Sequence, residues 1–180
     1  MRPAWCPCDL HFVQYIKSRK LRDKVIFHFE TGEHHFLGKI NHECGNPNEI
    51  IGITACKEEH DAYVDFIVNN PAAANYYKVL YADIYTLSPR VLPMFDIVTL
   101  FHLCEYYDEQ ESAYARLDDI GLLEMFISKL NPGGRLLFFK GSDGFLKRDR
   151  RAARIFNDFI EKRRILLEDE HETLLICRVP

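Results

Sequence analysis

Residues 25–38 read VIFHFETGEHHFLG, and this stretch decides the fold: an apolar run stops abruptly at a polar turn that contains a glycine. Further on, a second run, EIIGIT, ends at Thr54. A strand buried in a parallel sheet takes apolar residues on both faces, and the turn after it must let a ligand approach backbone N–H groups. This is how a nucleotide-binding α/β domain begins. The turn is altered, however. A three-glycine loop would place small residues at 30, 32 and 34, where this chain has Glu30, Gly32 and His34.

Working outward, residues 9–21 place Leu10, Val13 and Ile16 at helical spacing, with Asp9 available as an N-cap. The first strand covers 24–29, a loop marked by GNPN covers 45–48, and the second strand covers 49–54. A helix is predicted over 57–68, with Glu58 and Glu59 favourable at its positive end and Asn69, Asn70 and Pro71 stopping it. YKVLYAD (77–83) and FDIVTLFHL (95–103) are the third and fourth strands, the latter entering a polar loop at 104–110. Residues 118–130 form a helix with Leu122, Leu123, Phe126, Ile127 and Leu130 on one stripe. NPGG (131–134) turns the chain into a fifth strand, RLLFFKG, because proline and paired glycines cannot continue a helix. A basic amphipathic helix over 146–162, with Ile155, Phe159 and Ile160 as apolar anchors, precedes a closing hairpin over 163–179. The expected architecture is α/β: a doubly wound, mostly parallel seven-stranded sheet with helices on both faces and a C-terminal antiparallel hairpin.

The chain has 180 residues, 47% of them hydrophobic, which suits one well-packed domain: an N-terminal helical segment (1–22) followed by a sheet core (23–180). Its apolar runs are too short to cross a bilayer, and its start lacks the apolar core of a signal peptide, so a soluble, cytoplasmic protein is expected. A formal charge of −4 argues against a dedicated nucleic-acid binder. Lys147, Arg148, Arg150, Arg151, Arg154, Lys162, Arg163 and Arg164 concentrate positive charge near the C-terminus and read as a solvated helix face paired with Asp149, Asp158 and Glu161. The six cysteines should be mostly reduced, with Cys56, Cys104 and Cys177 acting as small hydrophobes. Cys6 and Cys8, taken with His42 and Cys44, lack the gap usual for structural zinc, so no metal site is assigned.

In an open parallel sheet, ligands bind beyond the carboxyl ends of the strands. Those ends carry residues 30–35, Thr54, Asp83 and 101–107. Here the chain resembles the class I S-adenosylmethionine-dependent methyltransferase family over nearly its whole length, through YADIYTL, FDIVTLFHLCEYYD and LLEMFISKLNPGGRLLFF in that order. The resemblance implies S-adenosylmethionine as cofactor. Gly32 would lie under the cofactor's amino-acid end, with Thr31 as a hydroxyl donor. Asp83 would accept from the adenine amino group beside the Ile84 backbone, and Phe101 and His102 would flank the methionine moiety.

Two positions depart from the pattern: His28 replaces the acid before the glycine turn, and Thr54 replaces the acid that grips the ribose hydroxyls. A carboxylate contributes on the order of 1.5–3 kcal/mol per hydrogen bond against about 1 for a neutral hydroxyl, so its loss weakens binding unless Glu30, Glu58 or Glu59 reaches the ribose. A Glu30 carboxylate also repels the cofactor's own carboxylate unless it turns toward the amino group or the sulfonium.

Methyl transfer is an in-line displacement in which orientation and exclusion of water supply most of the acceleration. His102, Glu105, Tyr106 and Tyr107 are the candidates for removing the acceptor's proton, with imidazole best matched to neutral pH. His28, His34 and His35, with Glu30 and Glu33, form a second cluster. Neighbouring His34 and His35 point apart and do not suit one metal; the expectation is that they cap the following helix, one facing the pocket and the other the N-terminal segment. The sequence therefore points to methyl transfer onto a small molecule at an altered cofactor site. The alternative is a catalytically inactive relative that serves as a binding or assembly module, with a protein partner or a second copy of itself.

Overall fold

The computed structural model describes residues 6–43, 47–107, 113–146 and 150–180. Cys44 and the start of GNPN lie outside them, as do loop residues 108–110 and Lys147, Arg148 and Asp149 of the basic segment. The first half runs α1 (Pro7–Ser18), β1 (Val25–Phe29), α2 (Phe36–His42), β2 (Glu49–Thr54), α3 (Lys57–Asn69), β3 (Tyr77–Tyr81) and β4 (Phe95–Thr99). The second half runs α4 (Asp119–Ser128), β5 (Leu130–Phe139), α5 (Asp143–Leu146), α6 (Arg151–Glu161), β6 (Leu166–His171) and β7 (Leu174–Arg178).

Among the described residues the sheet has seven strands in the order β3-β2-β1-β4-β5-β7-β6. β1 pairs in parallel with β2 and with β4, while β7 is antiparallel to both β5 and β6. After β1 the chain winds outward through β2 and β3, then returns to the other side of β1 as β4. The strand order therefore reverses between β1 and β4, where a cleft opens at the carboxyl ends.

Alternation along β1 divides the core. Phe27 and Phe29 face one side with Phe95, Leu122, Phe126 and Phe138, against α4 and α6. Ile26 faces the other side with Phe12, Leu37, Ile97 and Phe101, against α1 and α2. Each side buries large apolar side chains at about 1.5–3 kcal/mol apiece, which makes the doubly wound arrangement stable.

Several boundaries differ from the expected ones. Helix α1 begins at Pro7, with Cys6 in the N-cap position, and it buries Cys8, Asp9, Phe12, Val13 and Tyr15, whereas Leu10 is exposed. Asp9 is thus not a cap but a buried acid, facing His28 and His34. The fourth strand ends at Thr99, because a turn in which the Leu103 N–H donates to the Leu100 carbonyl breaks the ladder. Strand β5 starts at Leu130, so the NPGG segment is part of a strand and the register bulges between Phe95 and Ile97. In place of one helix over 146–162 there are α5 and α6, the latter entered through Arg150 at φ +45°, a left-handed conformation that a continuous helix excludes. The basic face of α6 is only partly a solvated one. Lys162 pairs with Asp158 within the helix, but Arg151 reaches the fully buried Asp119 of α4 at 3.0 Å.

Candidate functional site

A cavity of about 510 Å³ opens at the carboxyl ends of the strands. This volume lies within the usual range for small-ligand sites. Its walls come from the ends of β1 (Phe29, Glu30), β2 (Ile53, Thr54), β3 (Ala82, Asp83, Ile84), the start of α3 (Glu59), and Tyr106 and Tyr114 after β4. Segments distant in sequence thus converge because the sheet order brings their ends to one rim.

The turn after β1 is tight. Glu30 has φ +70° and Gly32 φ +57°. A Cβ at Gly32 would stand 3.0 Å from the His34 ring, so any other residue there would be strained twice over. Thr31 is buried and packs its methyl group over Gly52 of β2. Neither Thr31 nor Gly32 is among the lining residues; Glu30 is the part of the turn that faces the cavity.

At the end of β2 the Thr54 hydroxyl donates to Glu59 Oε2 at 2.5 Å and accepts the Cys56 N–H at 3.0 Å. The carboxylate at this edge of the cavity is therefore supplied by the first turns of α3. Glu58 is occupied by the Cys56 thiol at 3.1 Å and does not line the cavity. Cys56 itself is exposed and lines the cavity, so it is not the small core hydrophobe expected; Cys177 is, and burial pushes its thiol up to about 12. After β3, Asp83 Oδ1 accepts the Tyr85 N–H at 2.9 Å and Oδ2 accepts the Tyr114 hydroxyl at 2.6 Å, which fixes the carboxylate at the rim.

Glu30 and Glu59 form a linked pair. Burial first, and then the Glu59 carboxylate, push Glu30 up to about 7, while His102 and a hydrogen bond from Tyr106 pull the other way. Two carboxyls this close disfavour double ionisation, so Glu30 holds its proton up to near neutrality. Burial and Glu30 hold the Tyr106 phenol far above its ordinary value.

His102, Glu105 and Phe101 are placed differently. Phe101 is buried against Phe12, His28 and Phe139 and does not reach the cavity. His102 Nδ1 meets Glu105 Oε2 at 2.8 Å, and its Nε2 faces Cys8 Sγ at 4.0 Å. Burial pulls this imidazole down, but the Glu105 hydrogen bond and charge outweigh it and leave His102 above its ordinary value. Glu105 Oε1 accepts the Asp143 N–H at 2.8 Å, so both oxygens are engaged away from the cavity. Of the four residues expected to handle protons, His102, Glu105, Tyr106 and Tyr107, only Tyr106 lines it.

The histidine cluster also resolves. His34 Nδ1 accepts the Phe36 N–H at 3.2 Å, and its Nε2 lies 3.7 Å from Asp9, so His34 faces the N-terminal segment as expected. His35 does not face the pocket. Its Nε2 meets the Glu59 carbonyl at 2.7 Å, which makes that nitrogen the donor and leaves Nδ1 to accept the Tyr77 hydroxyl at 2.8 Å. Burial pulls His35 down to about 4, which keeps it neutral in this role. His42 stacks on Tyr76, and Cys6 and Cys8 gather with His102 instead, the structure joining the two cysteines to each other as a disulfide. The single proline between them leaves their sulfurs within bonding reach, while Cys56, Cys104 and Cys177 are free.

No protein-family model matches the chain, and neither does any curated protein. Solved structures do match: the fold is that of class I S-adenosylmethionine-dependent methyltransferases. TrmN from Thermus thermophilus aligns with 99% of this chain at 12% identity and a TM-score of 0.63, and the chain spans 50% of TrmN. A precorrin-6y C5,15-methyltransferase from Geobacter metallireducens aligns over 98% of this chain and 89% of its own, at 12% identity and TM-score 0.62. An rRNA methylase from Streptococcus thermophilus aligns over 95% and 96%, at 11% identity and TM-score 0.60. Other proteins of this fold have been solved with S-adenosylhomocysteine bound.

Sequence reasoning missed Tyr114 and Cys56 as cavity residues. The polar end of β2 at Thr54 signals a rim position near Cys56, but nothing in the pattern signals Tyr114, which reaches Asp83 from a loop 31 residues on.

Proposed function

We propose that the chain binds S-adenosylmethionine in the cavity between Glu59, Asp83 and Tyr106 and transfers its methyl group to a small-molecule acceptor. The observation that carries this reading is the Thr54–Glu59 bond. It supports a carboxylate at the edge of the cavity where this fold holds ribose, although the residue closing β2 is a threonine. The donor set fits the cofactor: Glu59 to accept from the ribose hydroxyls, Asp83 with lone pairs left for the adenine amino group, and Ile84 beside the ring.

Bound there, S-adenosylmethionine would supply an activated methyl group for in-line transfer. The residues of the chain orient it and manage charge. Glu30, half-neutral near pH 7, does not repel the cofactor's carboxylate as a full charge would, and on ionising it faces a sulfonium favourably. Tyr106 is held protonated and serves as a donor. Proton acceptance falls to Glu30, whose value near neutrality suits the task better than His102, which is turned toward Glu105 and Cys8.

The acceptor class rests on the size of the cavity, about 510 Å³, and the net charge of −4. Production of S-adenosylhomocysteine when the chain and S-adenosylmethionine meet a panel of small hydroxyl and amine compounds tests it. Turnover only with rRNA would overturn the acceptor. Tight cofactor binding with no turnover on either would favour the non-catalytic binding module.

A further inference from the structure

Behind the cavity the chain gathers a second set of reactive side chains. The Sγ atoms of Cys6 and Cys8 and Nε2 of His102 lie within 4.8 Å of one another. The cysteines flank Pro7 at the start of α1, with Cα atoms 5.3 Å apart, while His102 arrives from the turn after β4. The imidazole is locked in place: Nδ1 is held by Glu105 at 2.8 Å, and Glu105 is anchored in turn by the Asp143 N–H at 2.8 Å. Its Nε2 is thereby presented to the sulfurs with a carboxylate behind it, the outer arrangement by which metal-ligating histidines are oriented and made more basic.

We propose that Cys6, Cys8 and His102 form a zinc site when the two cysteines are reduced, with Glu105 as the positioning residue for His102 and the fourth coordination position open. Two thiolates and one imidazole are a borderline-soft set that suits a tetrahedral zinc ion, and three protein ligands leave room for water or substrate. Asp9 Oδ1 lies 3.8 Å from Cys8 Sγ, but the carboxylate is also shared by His28 at 3.3 Å and His34 at 3.7 Å.

The disulfide joining Cys6 to Cys8 is the oxidised state of the same pair. Closing a loop of three residues removes little entropy from the unfolded chain, so a purely structural bond gains less here than a long-range one would. Access is available as well. Cys6 is half-buried, and the His102 side chain is 16% exposed. The His102 ring contacts Phe29 and Tyr106, both lining the cavity, so an ion would border the pocket without occupying it. The proposal is independent of the cofactor reading.

The test is titration of the full chain, reduced with a phosphine and freed of metal, first with Co²⁺ and then with Zn²⁺. One equivalent of cobalt should produce a thiolate charge-transfer band and the visible bands of a tetrahedral site, and zinc should displace it. Cys6→Ser, a small change at a half-buried position, should lower the thiolate intensity and weaken zinc at least tenfold; Glu105→Gln should weaken it about 10–100-fold, and Cys56→Ser should leave it unchanged. An octahedral, water-like cobalt spectrum in the reduced wild-type chain would overturn the proposal without recourse to any variant. So would equal zinc affinity in wild type and Cys6→Ser. Zinc binding and S-adenosylmethionine binding are read separately, so either can fail alone.

Discussion

The Thr54 hydroxyl donates to Glu59 Oε2 across five residues, and through that bond a strand ending in a neutral side chain acquires a carboxylate at the edge of its cavity. Glu59→Gln should weaken S-adenosylmethionine and S-adenosylhomocysteine alike, by about ten- to a hundredfold, because both share the ribose and hydrogen bonds to a charged acceptor are worth about 1.5–3 kcal/mol. Thr54→Val should cost less, about fivefold, by freeing Glu59 to move. Equilibrium dialysis with labelled ligand measures both. Loss confined to one ligand would argue against a ribose contact.

Affinity for S-adenosylmethionine should rise with pH through about 7, where Glu30 ionises. A cation binds the ionised form better, so binding releases a proton and tightens as pH goes from about 6 to about 8. The groups facing Glu30 are Glu59 from α3 and Tyr106 and His102 from the segment after β4. Glu30→Gln should flatten the profile, and the neutral thioether of S-adenosylhomocysteine should show a shallower one. Fluorescence titration at a series of pH values reads the slopes.

Fold stability should carry two opposed pH dependences. Glu30 is raised from 4.5 to about 7, so between those values the folded state binds more protons and stability falls as pH rises. His35, among Tyr77, Glu59, Lys39 and His34, is lowered from 6.5 to about 4, so over that window the unfolded state binds more protons and stability rises with pH. The two offset in wild type. Glu30→Gln should unmask His35, giving urea midpoints that climb from about pH 4 to about pH 6.5. Identical slopes in variant and wild type would contradict the assignment.

Arg151→Met should destabilise the fold by about 3 kcal/mol, because Asp119 is fully buried and, among the described residues, would keep the hydrogen bond from the Tyr85 hydroxyl at 2.7 Å without a compensating cation. Urea denaturation checks this, and restoring most of the loss with Asp119→Asn in the same chain would identify the uncompensated charge as its cause.

The strands were legible because each apolar run ends at a polar residue, as at Phe29–Glu30 and Ile53–Thr54. The break between α5 and α6 was not, because Arg150 enters α6 in a left-handed conformation that no residue type at that position demands. Glu59 was legible as a substitute acid since it lies within one and a half helical turns of Thr54. The partnership of His102 with Cys8 spans 94 residues and depends on α1 packing through Phe12 against His28 and Phe101, so local pattern carries no trace of it. The family resemblance implies cofactor contacts at Gly32 and Thr31, which do not line the cavity. What separates them from the cavity is the positive φ of Glu30, which turns that side chain inward.

The most direct measurement is calorimetric titration of the chain with S-adenosylmethionine, beside the Ala55→Trp variant, in which a bulky ring enters the cavity from an exposed position after β2. The account predicts saturable one-to-one binding in wild type and its loss in the variant, with both folded by circular dichroism. Absence of heat from wild type at millimolar ligand, or undiminished binding to Ala55→Trp, would contradict it.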